Sequence, residues 1–119
     1  DQLVEVQAAA SFRGSFKRDL AGSDFLHWGE GEISIGKGVV ALKGRLAPGP
    51  DYRLYFSPEF VETEAEFEAL RTRMVEVGPV RTFENFIVSL PPAVEPADYN
   101  TVVIWCESFA EFITSAQYR

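Results

Sequence analysis

Apolar and polar positions alternate in short runs along most of the chain, and turn-forming residues separate the runs. Glu32-Ile33-Ser34-Ile35 alternates with period two, Gly36-Lys37-Gly38 follows, and Val39-Val40-Ala41-Leu42 returns. Together these pieces predict a β-hairpin. Pro48-Gly49-Pro50-Asp51 predicts a turn. A strand over 52–56 begins after Pro50, because proline has no N–H to give a ladder. A further strand is predicted at 86–90, ended by Pro91-Pro92, with a loop over 91–100. Thr101-Val102-Val103-Ile104-Trp105 is wholly β-branched or aromatic, which predicts a buried strand running into Cys106.

The 62–74 stretch breaks this rhythm. Thr63 and Glu66 have capping-box spacing, with Thr63 as N-cap and Glu66 reaching back. Phe60, Phe67, Leu70 and Met74 recur on one helical face. Glu62, Glu64 and Glu66 fall near the positive end of the macrodipole, Arg71 and Arg73 near the negative end, and Gly78-Pro79 closes the segment. At 109–117, Phe109, Phe112, Ile113 and Ala116 fit a helical face, and a short strand fits as well. Residues 1–10 read as a helical lead-in or linker, Phe12-Arg13-Gly14-Ser15-Phe16 as the start of the domain, and Gly29-Glu30-Gly31 as a turn. The expectation is a mainly β single domain over 11–119, an antiparallel β-sandwich or barrel-like fold. It carries one inserted α-helix at about 62–74 and either a short helix or a strand at its C-terminus.

Composition narrows the classes of function. A chain of 119 residues with 46% hydrophobic positions and 10 Phe builds one core without disulfides. A formal net charge of -7 argues against nucleic acid and against anionic lipid surfaces. No apolar run approaches the roughly 20 residues of a membrane span, so direct membrane insertion of this domain is not expected. The chain opens at Asp1 rather than Met, which reads as a trimmed start with room for an upstream signal or anchor.

Candidate chemistry centres on the single cysteine. Alternation puts Cys106 on the face of Val102 and Ile104, with Val103 and Trp105 opposite, which favours a packed thiol. The alternative is a reactive or ligating thiol, active only as thiolate. A helix over 107–116 would place Cys106 at its N-cap and favour that form, whereas the adjacent Glu107 carries the wrong charge. Haem is a further reading, with Cys106, His27 and Met74 as one ligand of each type, but no Cys-x-x-Cys-His is present for covalent attachment. Trp105, with Trp28 and the tyrosines, would relay electrons or line a pocket, against a simpler role as core. His27 is a ligand or proton shuttle if it lies near Cys106, and otherwise a hydrogen-bonded loop histidine. One His and one Cys fall short of a mononuclear metal site, so none is expected. No pairing of nucleophile and base points to a hydrolase.

Taken together, the motifs resemble the DM-thirteen domain family. They run from Gly14-Ser15-Phe16 and the Asp24…His27…Gly31 segment through Gly49-Pro50-Asp51-Tyr52-Arg53-Leu54-Tyr55 and Phe83…Phe86 to Leu90-Pro91. The specific element is Val102-Val103-Ile104-Trp105-Cys106 followed by Phe109 and Phe112. Members occur beside DOMON domains in animal Skeletor-type proteins and alone in bacterial envelope proteins. The acidic helical insert fits the bacterial branch better. The resemblance implies an extracytoplasmic, β-rich domain in the periplasm or cell envelope, working with a redox or envelope partner. It also implies a proposed role in electron transfer, through the family cysteine as a bare thiol or as holder of a group such as haem. Cys106 is the matching position here. The rival reading is a non-catalytic binding or structural β-module in which Cys106 is core.

Overall fold

A computed structural model describes residues 1–119. Helix α1 (Gln2–Ala9) precedes strands β1 (Phe12–Phe16), β2 (Gly29–Gly36), β3 (Val39–Leu46) and β4 (Tyr52–Ser57). Helix α2 (Glu64–Leu70) runs into a 3₁₀ turn, Arg71–Arg73. Strands β5 (Val75–Val80), β6 (Glu84–Ser89), β7 (Thr101–Cys106) and β8 (Glu111–Gln117) complete the chain. Two antiparallel four-stranded sheets form, in the orders β1-β2-β3-β6 and β5-β4-β7-β8. Of the two architectures expected, the sandwich is the one adopted.

Between the sheets lies the main core, to which Ile33, Ile35, Val40 and Leu42 contribute from one sheet and Leu54, Phe56, Val102, Ile104 and Cys106 from the other. A smaller cluster covers the outer face of the second sheet. There Val103, Trp105, Tyr55 and Phe112 meet Phe67 of α2 and Val61, with Leu20, Leu70 and Met74 packed at its margin. The alternation along β7 thus divides as expected, Cys106 inward and Trp105 outward. Thr63 caps α2 by accepting from the Glu66 N–H at 3.1 Å, and the Glu66 carboxylate reaches back to the Glu62 N–H at 2.8 Å. Phe60 precedes the cap, so it stays exposed instead of joining the helical face.

Three elements are decided only by the structure. The 109–117 segment takes the strand, one of its two expected readings, and not the helix. A bulge in β8 leaves Ile113 unpaired between the Ile104–Thr114 and Trp105–Phe112 rungs, so Phe112 joins the outer cluster while Ile113 and Ala116 join the inner core. That break in alternation produces the spacing that mimics a helical face. The second, Gly29-Glu30-Gly31, departs from its expected turn and extends β2. Gly31 lies opposite Gly44, and a Cβ on Gly44 would overlap the Glu30 carbonyl oxygen, so these glycines serve close backbone approach beside a bulge. The third is β5, which contains Gly78-Pro79 where the helical segment was expected to close. It is an edge strand, where the missing proline N–H costs little.

Candidate functional site

At one end of the sandwich a cleft of about 330 Å³ opens beside the ends of β4 and β7. Its wall includes Pro48, Pro50, Tyr52, Cys106 and Ile113, with Leu26 and Phe109 at the rim, 66% and 64% exposed. Tyr52, Cys106 and Glu111 form one row across three strands, because Cys106 pairs with Tyr52 of β4 on one side and with Glu111 of β8 on the other. The 107–110 turn carries the chain from Cys106 round to Glu111, with Ala110 at φ 52°.

Cys106 is 3% exposed, and its thiol donates to the Pro50 carbonyl oxygen at 3.0 Å. The Tyr52 hydroxyl donates to the Ala47 carbonyl at 2.5 Å. Burial, with Cys106 and Glu111 nearby, pushes the Tyr52 phenol up to about 12. His27 enters from the loop before β2. Its Nδ1 lies 2.9 Å from the Asp24 carboxylate and its Nε2 faces the Glu111 carboxylate. The same Asp24 oxygen accepts the N–H groups of Leu26 at 2.8 Å and His27 at 2.9 Å, fixing the loop as an Asx turn. The Leu26 N–H and the His27 ring hold the Asp24 carboxyl below its usual range.

Of the residues singled out in the sequence, the structure brings Cys106 and His27 to one cleft and leaves Trp105 and Met74 elsewhere. Trp105 lies on the opposite face of the sheet, stacked on Phe67 with ring centroids 3.9 Å apart and planes 9° from parallel. Met74 packs beside the same outer cluster. The reason is the strand period: consecutive residues on β7 cannot serve one pocket. The two therefore drop out as cofactor contacts at this cleft.

Glu107 does not confront the thiol. Its carboxylate takes the Tyr55 hydroxyl at 2.6 Å and pairs with Arg71. Burial would raise its carboxyl, but the hydrogen bonds from Tyr55 and Arg71 outweigh that and hold it below the usual range. Since 107–110 is a turn, Cys106 caps no helix.

Glu111 was not read from the sequence as a site residue. The hairpin carries its signal: with the 109–117 segment taken as strand, a four-residue turn sets Glu111 opposite Cys106.

The donor set does not fit a haem. Both His27 nitrogens face carboxylates, Met74 lies beyond the sheet from Cys106, and no Lys or Arg lines the cleft to meet carboxylate arms. No set of three or more His, Cys, Asp or Glu side chains has metal-holding geometry.

Residues 19–118 match the family described as Electron transfer DM13, a span that takes in every strand from β2 to β8 and both sides of the cleft. The chain belongs to the DM13 family. No curated protein and no solved structure matches it. Membership in DM13 associates the domain with electron transfer. Helix α1 and strand β1 precede the matched span.

Proposed function

We propose that Cys106 is the redox group of an extracytoplasmic electron-transfer domain, acting from the cleft it shares with His27 and Glu111. The observation that carries this reading is convergence: the lone thiol, the lone imidazole and a carboxylate cross-strand to the thiol line one cleft. The simplest chemistry is exchange with a disulfide of a partner protein. The Cys106 sulfur bonds to one partner sulfur, the partner S–S bond breaks, and the second sulfur departs and takes up a proton. Glu111 and His27 are the groups that receive the Cys106 proton and return one to the leaving sulfur. We propose the periplasm or cell envelope as its setting, following the resemblance to envelope proteins. No helix here is long and apolar enough to cross a bilayer.

A second reading has its own observation. Cys106 is almost wholly buried and its thiol is already bonded to Pro50, which suits a binding or structural module with a quiet core cysteine.

Native labelling of the 119-residue chain with a small neutral alkylating reagent separates the two. The redox reading expects complete reaction of Cys106 without denaturant, slowed by Leu26→Trp at the cleft rim. Reaction only after unfolding would leave the structural reading standing.

A further inference from the structure

The side-chain polar atoms of the cleft are almost all spoken for. The Cys106 thiol is engaged by Pro50, the Tyr52 hydroxyl by Ala47 and the two His27 nitrogens by Asp24 and Glu111. Among the lining side chains one polar atom remains, Oε1 of Glu111, which takes no hydrogen bond from the chain. It is an acceptor, so a ligand that satisfies this cleft brings a donor.

Charge and size narrow the class. The lining holds no Lys or Arg, and Asp24 stands behind His27, so an anionic ligand finds no counter-charge. The volume, about 330 Å³, is at the lower end of ligand pockets and suits a single ring. The lining includes the rings of Pro48, Pro50, Tyr52 and Phe109, and the Cys106 sulfur, which favours aromatic contact. An ammonium brings three donors to one free acceptor and leaves the others unmet against apolar walls, whereas one hydroxyl matches it.

We infer that the cleft binds a small neutral phenol, the class that includes hydroquinones, with its hydroxyl donating to Glu111 and its ring against the Cys106 sulfur. This rests on the reading that the cleft is the working site, and it names the class of small molecule that site admits. Glu111, His27 and Asp24 then form a continuous line from the phenolic proton to the exposed Asp24.

The test is an amide NMR titration of the full chain with 4-methylphenol, which exchanges no electrons with the thiol under these conditions. Saturable shifts are expected at Leu26, His27, Cys106, Phe109 and Glu111, with a dissociation constant of about 1 mM or tighter. The methyl ether of the same phenol, which has no donor, should bind at least about tenfold more weakly, and this comparison needs no variant. Glu111→Ala should weaken the phenol to the level of the ether. Equal binding of phenol and ether, tighter binding of 4-methylbenzylamine, or no shifts at these amides overturns the inference. Cys106→Ser separates the two proposals: phenol binding should survive it, whereas electron transfer through the thiol should not. Native thiol labelling without phenol binding removes this inference alone.

Discussion

Cys106 and Glu111 face each other on the last rung of the β7–β8 ladder, and His27 reaches the same carboxylate from a loop of the other sheet. The loop therefore closes over one side of the thiol while its own shape depends on Asp24.

Asp24 holds three donors of that loop, the N–H groups of Leu26 and His27 and the His27 ring. Asp24→Ala should bring exchange of the Leu26 amide towards the unprotected rate while β7 amides keep their protection. Unchanged protection at Leu26 would mean that Asp24 does not shape the loop.

Cys106→Ser should leave the fold intact at a cost of about 1 kcal/mol, because the hydroxyl still finds the Pro50 carbonyl. Urea unfolding at neutral pH measures this. A loss above about 4 kcal/mol would show that sulfur packing, and not the hydrogen bond, governs the site.

Phe67 stacks on Trp105 and also meets Tyr55 edge-on at 5.1 Å, so it ties α2 to the outer face of the sheet. Phe67→Ala should cost about 3–5 kcal/mol and collapse the near-ultraviolet circular dichroism of Trp105. Retention of that signal would sink the claim that the stack orders Trp105.

Gly44→Ala should destabilise by about 1–3 kcal/mol, since the new methyl meets the Glu30 carbonyl. Gly38→Ala, in the open turn between β2 and β3, has room around it and is strained only by its φ of 75°. The Gly44 variant should be the less stable of the two in thermal melts, and the reverse order would contradict the close approach.

Burial raises the phenols of Tyr52, Tyr55 and Tyr118, Tyr52 to about 12. An unfolded tyrosine ionises near 10. The folded state binds these protons more tightly, so their contribution is complete below about pH 10 and is lost as pH rises through the folded values, about 12 for Tyr52 and higher for Tyr55 and Tyr118. Alkaline titration should show tyrosinate absorbance from these three appearing together with unfolding. Full ionisation by about pH 10.5 with the fold intact would falsify the burial account. Tyr52→Phe should flatten the alkaline loss of stability.

The sequence alone determined much of the frame. Local rules suffice for β7, whose β-branched run and alternation put Cys106 inward and Trp105 outward. They suffice as well for the Thr63–Glu66 cap and for the strand after Pro50, because each depends on neighbours within a few residues. The family followed from the Trp-Cys strand and its surrounding motifs. Only the tertiary structure decided the rest. A bulge set the faces of β8, and with them the place of Glu111. Edge position made Gly78-Pro79 acceptable in a strand, and close backbone approach turned a Gly-rich stretch into ladder. The meeting of His27 with Glu111 joins positions 84 residues apart in the chain, 111 − 27. No local pattern encodes such a contact. It arises because the two sheets pack face to face and bring the loop before β2 over the end of β8.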